Sequence, residues 1–236
     1  MNFVDLHSHV LFGLDDGAAD EPTSVALVRG LASVGFTHIC ATPHQKQGQY
    51  FPSLADIRAR FATLTNQPPA PEVAFTLGAE NMWDDVFFER WQAGTLPSYG
   101  DGPAFLFELN PSLVPAGLTD HLFKFAMSGK LPVMAHPERY AGLQRDDGLV
   151  QRVRGVCAMV VDLGAVAGAH GRAEAKTARR WIEDDIAHAA ASDAHTMADV
   201  KLAAEGIAWI RKRKGDAAVQ KLLADAPRAI LQGELP

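Results

Sequence analysis

Phe3-Val4-Asp5-Leu6-His7-Ser8-His9 opens the chain, and its reading decides the rest. Phe3, Val4 and Leu6 make a short apolar run of the kind that forms a buried strand. His7 and His9 follow two apart, where the run turns polar. Residues i and i+2 of a strand share a face, so both imidazoles aim into one space. A single histidine on a buried face is usually a hydrogen-bonded core residue. Two of them, with Asp15-Asp16-Gly17 just downstream, read as metal ligands.

Outward from this strand, apolar runs and helical stripes alternate. Asp20-Glu21-Pro22 starts a helix, with Pro22 near its first position and Gly35 as its C-cap. Further strands are expected at 37–41, 73–77, 105–107, 131–135, 156–163 and 186–191. Helices are expected at 53–66, 116–128, 146–154, 171–184, 197–213 and 216–224, with helical turns at 84–92. Seven strand-then-helix units without a linker or repeat imply a parallel sheet with helices outside it. No Gly-x-Gly-x-x-Gly follows the first strand, which weighs against a dinucleotide fold. A barrel related to the (β/α)8 type, as one domain over residues 1–236, is the expectation.

Six of these seven strands end on a potential metal ligand. The set is His7, His9, His44, Glu80, Glu108, His136, Asp193 and His195, joined by Asp15 or Asp16 from the first loop. The strand C-termini of a parallel barrel open onto one face, so residues far apart in sequence converge there. Each has an ordinary alternative: Glu80 or Asp193 capping a helix, His44 simply following a turn proline. Jointly those alternatives fail, because buried carboxylates are costly unless paired or bound to metal. Nitrogen and oxygen ligands in this number exceed one ion and suit two or three, such as Mn²⁺, Fe²⁺ or Zn²⁺. Arg139, three positions after His136, can grip a phosphoryl group bidentately or pair with Glu138. His38, His121 and His188 read as structural or surface residues, and His170 as a loop residue with only weak reach to the site.

A hydrophobic content of 47% and a charged content of 21% over 236 residues are ordinary for a globular chain. The net charge of −6 argues against a nucleic-acid surface, and Arg211-Lys212-Arg213-Lys214 reads as a solvated helix end. Cys40 and Cys157 lie in apolar runs as buried free thiols. No stretch approaches a membrane span, and the strand at residue 3 leaves no room for a signal peptide, so a cytoplasmic protein is expected.

Asp5-Leu6-His7-Ser8-His9, Thr42-Pro43-His44, Gly78-Ala79-Glu80, His136-Pro137-Glu138-Arg139-Tyr140 and Ser192-Asp193-Ala194-His195 resemble the PHP (polymerase and histidinol phosphatase) superfamily. Asp15-Asp16-Gly17, Phe107-Glu108-Leu109 and Glu138-Arg139-Tyr140 resemble, within it, the bacterial metal-dependent protein-tyrosine phosphatases of capsule and exopolysaccharide loci. The resemblance spans residues 1–200 and implies a distorted TIM-like (β/α)7 barrel of the PHP fold with three divalent ions, usually Mn²⁺. It implies that His7, His9, Glu80 and Asp193 hold one ion, and that Glu80, Glu108 and His136 hold a second, with Glu80 bridging. Asp16, His44 and His195 would hold the third, Asp16 matching the family's spacing from His9. Arg139 matches its phosphate-binding arginine. The family's Arg-Pro beyond the last histidine is replaced by Thr196-Met197-Ala198-Asp199-Val200-Lys201, where Lys201 is the one cation able to stand in.

The implied function is phosphotyrosine hydrolysis through metal-bound hydroxide, on the tyrosine-rich tail of a polysaccharide-synthesis kinase. A histidinol-phosphatase-like phosphomonoesterase, a nuclease-like activity and a non-catalytic metal-binding regulatory domain are the alternatives. The ligand set offers no group free to act as general acid, which favours esters whose alcohol leaves as an anion. Tyr50 and Phe51, beyond His44, either pack on a substrate ring or anchor their loop.

Overall fold

The structure is a computed structural model that describes residues 2–236. Among the described residues nine strands are interspersed with helices: β1 (Phe3–Ser8), β2 (Phe36–Ala41), β3 (His44–Gln45), β4 (Ala74–Leu77), β5 (Glu80–Met82), β6 (Ala104–Glu108), β7 (Leu131–Ala135), β8 (Ala158–Asp162) and β9 (Ala189–Ala191). The helices are α1 (Glu21–Val34), α2 (Leu54–Asn66), α3 (Asp85–Ala93), α4 (Leu118–Met127), α5 (Ala141–Arg145), α6 (Asp147–Arg154), α7 (Leu163–Ala167), α8 (Arg172–Glu183), α9 (Met197–Lys214), α10 (Asp216–Gln220) and α11 (Ala226–Leu231).

Every pair of neighbouring strands is parallel. They form two sheets, ordered β1-β2-β4 and β3-β5-β6-β7-β8-β9. Two of the seven expected strands are therefore each broken in two. Thr42-Pro43 divides β2 from β3, since proline has no N–H for the ladder. Gly78-Ala79 divides β4 from β5, where a Cβ on Gly78 would crowd the Tyr99 ring and Thr42. Hydrogen bonds still cross both breaks: Gly78 N–H donates to Ala41 O and Glu80 N–H to Pro43 O. The end of β1 is tied to the far end of the other sheet by a parallel bridge between Ser8 and Ala194.

Strand alternation sorts the core. Leu6, Leu106, Val133, Val160 and Ala191 belong to one compact apolar cluster. Their neighbours Phe105, Phe107, Met134, Met159, Val161 and Ala190 pack with the helices in a larger one. Local signals read from sequence hold well. Asp20 accepts from Thr23 N–H at the start of α1, and Gly35, at φ 115°, caps its end as only glycine does without strain. The sixth strand ends at Asp162 instead of running to 163, because Asp162 caps α7 through Gly164 N–H. The last expected helix, 216–224, continues through a π turn at 221–225 into α11. Among the described residues, no helix is long and apolar enough to cross a membrane.

Candidate metal centre

All nine candidate ligands gather in one place: His7, His9, Glu108, His136, Asp193 and His195 at or just beyond the C-terminal ends of β1, β6, β7 and β9, Asp16 in the loop after β1, and His44 and Glu80 at the starts of the short strands β3 and β5. They form four overlapping groups with ligand atoms within 4.8 Å of one another: His9, Asp16, His44 and His195; His7, His136 and Asp193; His7, His9 and Glu80; His44, Glu80 and Glu108. Glu80 is the hub. Its Oε1 lies 2.8 Å from His136 Nε2 and 3.4 Å from His7 Nε2, and its Oε2 lies 2.7 Å from His44 Nδ1 and 3.6 Å from His9 Nε2. Asp193 Oδ1 reaches His7 Nε2 at 2.9 Å and His9 Nε2 at 3.4 Å. Asp16 Oδ1 stands 3.4 Å from both His44 Nε2 and His195 Nε2.

Four imidazoles are held by their Nδ1 nitrogens, each against a group that has only acceptor capacity left for it. The Thr42 hydroxyl donates to Ser8 O, so it accepts from His7 Nδ1 at 2.8 Å. Asp15 Oδ2 accepts from His9 Nδ1 at 2.9 Å, and Asp193 O from His195 Nδ1 at 2.8 Å. Tyr140 donates its proton to Ala135 O, so it accepts from His136 Nδ1 at 3.3 Å. Every one of these Nε2 atoms is thereby turned toward the carboxylates, so that giving up its proton yields the tautomer that binds a metal. His44 alone presents Nδ1 to Glu80 and Nε2 to Asp16.

The donor set fits bound cations. Among the described residues, buried polar atoms lacking any hydrogen bond include His7 Nε2, His9 Nε2, His44 Nδ1, Glu80 Oε2, Glu108 Oε1 and Asp193 Oδ1. Atoms of this kind are rarely left unpaired without a ligand to satisfy them. Burial pulls His7 down, yet Glu80 and Asp193 outweigh it and hold the imidazole up at about 10; His44, between Glu80 and Glu108, is held at about 11. Burial opposes ionisation of Glu80 and Asp193 too, and the histidines around them keep both well below the usual carboxylate range. This demand for positive charge is what a divalent ion meets.

Backbone geometry at the site is strained. His136 (φ 33°), His170 (φ 66°) and Asp193 (φ 48°) occupy the left-handed region that L-residues avoid. Asp193 N–H donates to His7 O, and His9 N–H to Ala194 O, so β1 and the turn after β9 fix one another. Beneath them Asp5, fully buried, accepts from the Ser192 hydroxyl and backbone N–H; burial outweighs these bonds and pushes its pKa up to about 6.

Arg139 does not pair with Glu138. Its Nη2 bridges Asp162 Oδ2 at 2.6 Å and Asp193 Oδ2 at 2.7 Å, which places the guanidinium against the ligand cluster. Glu138 is buried behind it and accepts from Asp162 N–H. Lys201 is exposed on α9 and pairs with Glu205 at 3.9 Å, so the structure gives it no part in the site. Lys46 instead stands at the rim, 3.7 Å from Glu108 Oε1. Tyr50 stacks on His44 at 5.6 Å and Phe51 lies under the Arg90 guanidinium at 5.0 Å, so both aromatics anchor their loop. His38 bonds Thr76, His121 packs among Trp83 and Phe88, and His188 accepts from Met159 N–H, all as structural residues. Asp162 was missed from sequence because the strand was read through it; an acidic residue ending the Val160-Val161 run was the available signal.

A family model, Capsular polysaccharide synthesis, CpsB/CapC, matches residues 3–232. The chain belongs to this family. Among CpsB/CapC relatives, the tyrosine-protein phosphatase CpsB of Streptococcus pneumoniae is 25% identical over 98% of this chain and 99% of its own. The tyrosine-protein phosphatase YwqE of Bacillus subtilis is 27% identical over 82% of this chain and 78% of its own. A crystal structure from work on YwqE and CpsB, described as unique metal-dependent tyrosine phosphatases, superposes with a TM-score of 0.86 at 25% identity, covering 98% of this chain and 95% of that one. A phosphotriesterase from Mycobacterium tuberculosis, at 15% identity and a TM-score of 0.59 over 98% and 94% of the two chains, shares the fold alone. The family resemblance carried by the histidine and carboxylate motifs is borne out.

Proposed function

We propose that this chain is a metal-dependent protein-tyrosine phosphatase. The observation that carries the reading is the convergence of unpaired imidazole nitrogens and carboxylate oxygens on Glu80, in a chain whose CpsB/CapC relatives bear that name. His7, His9, Glu80 and Asp193 would hold one ion, Glu80, Glu108 and His136 a second, and Asp16, His44 and His195 a third, with manganese the metal that suits imidazole and carboxylate together. Bound ions supply a water of lowered pKa as nucleophile and neutralise the phosphoryl oxygens.

The chain's own residues do the rest. Arg139, held through Nη2 by Asp162 and Asp193, would turn its remaining guanidinium N–H groups and its charge toward the phosphoryl oxygens at the edge of the cluster. Lys46 adds a second positive charge at the rim beside Glu108. Thr42, Asp15 and Tyr140 keep the imidazoles in the ligand tautomer. We read the two sheets as one distorted seven-stranded barrel of a single domain, a view supported by the bonds across both strand breaks and the Ser8–Ala194 bridge. A cytoplasmic setting and a tyrosine kinase of polysaccharide synthesis as the substrate protein complete the proposal.

The test is hydrolysis of a phosphotyrosine peptide, a phosphoserine peptide and histidinol phosphate after metal removal and reloading. Turnover of phosphotyrosine is expected to vanish with chelation, return with Mn²⁺ more than with Mg²⁺, and exceed the other two esters. Full activity after verified metal loss would sink the reading. Preferential turnover of histidinol phosphate would move it to the small-molecule branch.

A further inference from the structure

We propose that His170 and Asp162 form a proton-donating dyad for the leaving oxygen of the substrate ester. The inference rests on the phosphatase reading and adds a catalytic group outside the ligand set. His170 belongs to none of the four ligand groups found among the described residues. Its ring is 39% exposed, so reactants and solvent reach it, whereas its partner Asp162 is buried.

Asp162 ends β8 on the same face as the ligand cluster and is held rigidly. Its Oδ1 accepts from Gly164 N–H at 2.6 Å, and its backbone N–H donates to Glu138 Oε1 at 3.1 Å. Its Oδ2 accepts from Arg139 Nη2 at 2.6 Å and lies 2.8 Å from His170 Nε2. His170 sits in a left-handed turn between Gly168 and Gly171, themselves at φ 116° and 125°. A Cβ at position 164 would come within 3.1 Å of Asp162 Oδ1 and 3.3 Å of His170 Nε2, so Gly164 leaves the dyad room. The strained φ of His170 is held in a loop whose evident product is this contact.

The chemistry follows from which nitrogen is committed. Nε2 lies 2.8 Å from the ionised Asp162, which would support the imidazolium on that side and leave Nδ1 to carry and give the mobile proton. A buried carboxylate that fixes the tautomer and supports the imidazolium is the arrangement used in acid–base dyads. Arg139 Nη2 stands 3.2 Å from His170 Nε2, so the imidazole borders the group that grips the phosphoryl oxygens. In the step, the bond from phosphorus to the ester oxygen breaks as the bond to the water oxygen forms. The Nδ1 proton passes to the departing oxygen, the attacking water leaves one proton on the product phosphate and gives the other to solvent, and solvent returns a proton to Nδ1. Water is the sole co-reactant.

The experiment compares kcat/KM for phenyl phosphate and 4-nitrophenyl phosphate in the Mn²⁺-loaded wild type, His170→Asn and His170→Ala. Asparagine tolerates the left-handed backbone, so His170→Asn tests the imidazole with the turn kept. Nitrophenolate leaves without a proton and phenolate benefits from one. Loss of a general acid should therefore raise the ratio of nitrophenyl to phenyl turnover about 100-fold in both variants, with metal content unchanged. A ratio that stays at the wild-type value, whether both rates fall together or neither does, overturns the dyad while leaving the phosphatase reading intact. A loaded wild type that cleaves neither ester overturns both.

Discussion

At the scale of single residues, the site is governed by what holds each ligand from behind. Asp15 is the clearest case, because it accepts from His9 Nδ1, His44 N–H and Gly17 N–H while Asp16 alone faces the cluster. The two neighbouring aspartates therefore divide their work; the residues alone left either as a candidate, and the family resemblance pointed to Asp16. Asp15→Asn keeps the shape but weakens the acceptor behind His9, so metal affinity in a titration should fall about tenfold. An unchanged affinity would show that Asp15 merely shapes the loop. Arg139→Lys keeps one charge and loses the fork, since lysine cannot reach two oxygens in one plane. A fall in kcat/KM of roughly one to two orders of magnitude, about 1.4–2.7 kcal/mol, is expected at unchanged metal content. An unaltered rate would reduce Arg139 to a partner for Asp162 and Asp193. The convergence of these nine side chains was legible because most of them interrupt or end an apolar run with a group that burial penalises. The placement of Lys46 beside Glu108 and of Asp162 beside Arg139 was not, since it depends on which elements meet in space.

Elements pack here through close approach of backbone. Gly206 lies inside α9, where alanine is normally better by about 1 kcal/mol. A Cβ there would stand 2.4 Å from Leu163 O at the start of α7. Gly206→Ala should therefore destabilise by about 1–3 kcal/mol in denaturant unfolding, against the helix-propensity trend. A gain in stability would mean that α7 and α9 can slide apart freely. Between β8 and β9, His188 accepts from Met159 N–H through Nδ1. Burial, with Arg154 and Lys221 adding to it, pushes the imidazole down to about 4. A depressed folded pKa means that the unfolded chain binds the proton more readily, so stability is full above about 6.5 and is lost as pH falls toward 4. The loss from this group is about 3 kcal/mol at most, and His188→Gln should flatten that part of the acid-unfolding curve. Apolar runs and caps gave most elements to within a few residues. The breaks at Thr42-Pro43 and Gly78-Ala79 were not read, although proline in one and a glycine crowded by Tyr99 in the other carry the reason. Such breaks let β3 and β5 turn His44 and Glu80 toward the cluster.

Taken whole, the molecule concentrates a charge problem at one end. Glu80, Glu108 and Asp193 are buried there, with Asp16 at the rim and Asp162 behind, in a chain of net charge −6. Without cations, this region must rely on protonated imidazoles and on Arg139 to offset carboxylate repulsion. The candidate ligands come from the ends of β1, β6 and β7, the starts of β3 and β5, the loop after β1 and the turn after β9, so any ion they share would tie distant parts of the chain together. Unfolding scatters those ligands, and binding energy available only to the folded state becomes stability. An ion present at 100 times its dissociation constant contributes about 2.7 kcal/mol. For a chain of this length that corresponds to a rise in Tm of roughly 5–10 °C. The check is a thermal melt of chelated protein with and without added Mn²⁺, repeated with His136→Ala. The wild type should gain the larger increment and the variant a smaller one, because it lacks one ligand beside Glu80. Equal melting temperatures for chelated and Mn²⁺-loaded wild type, despite confirmed loading, would mean that the cluster forms without help from the ions.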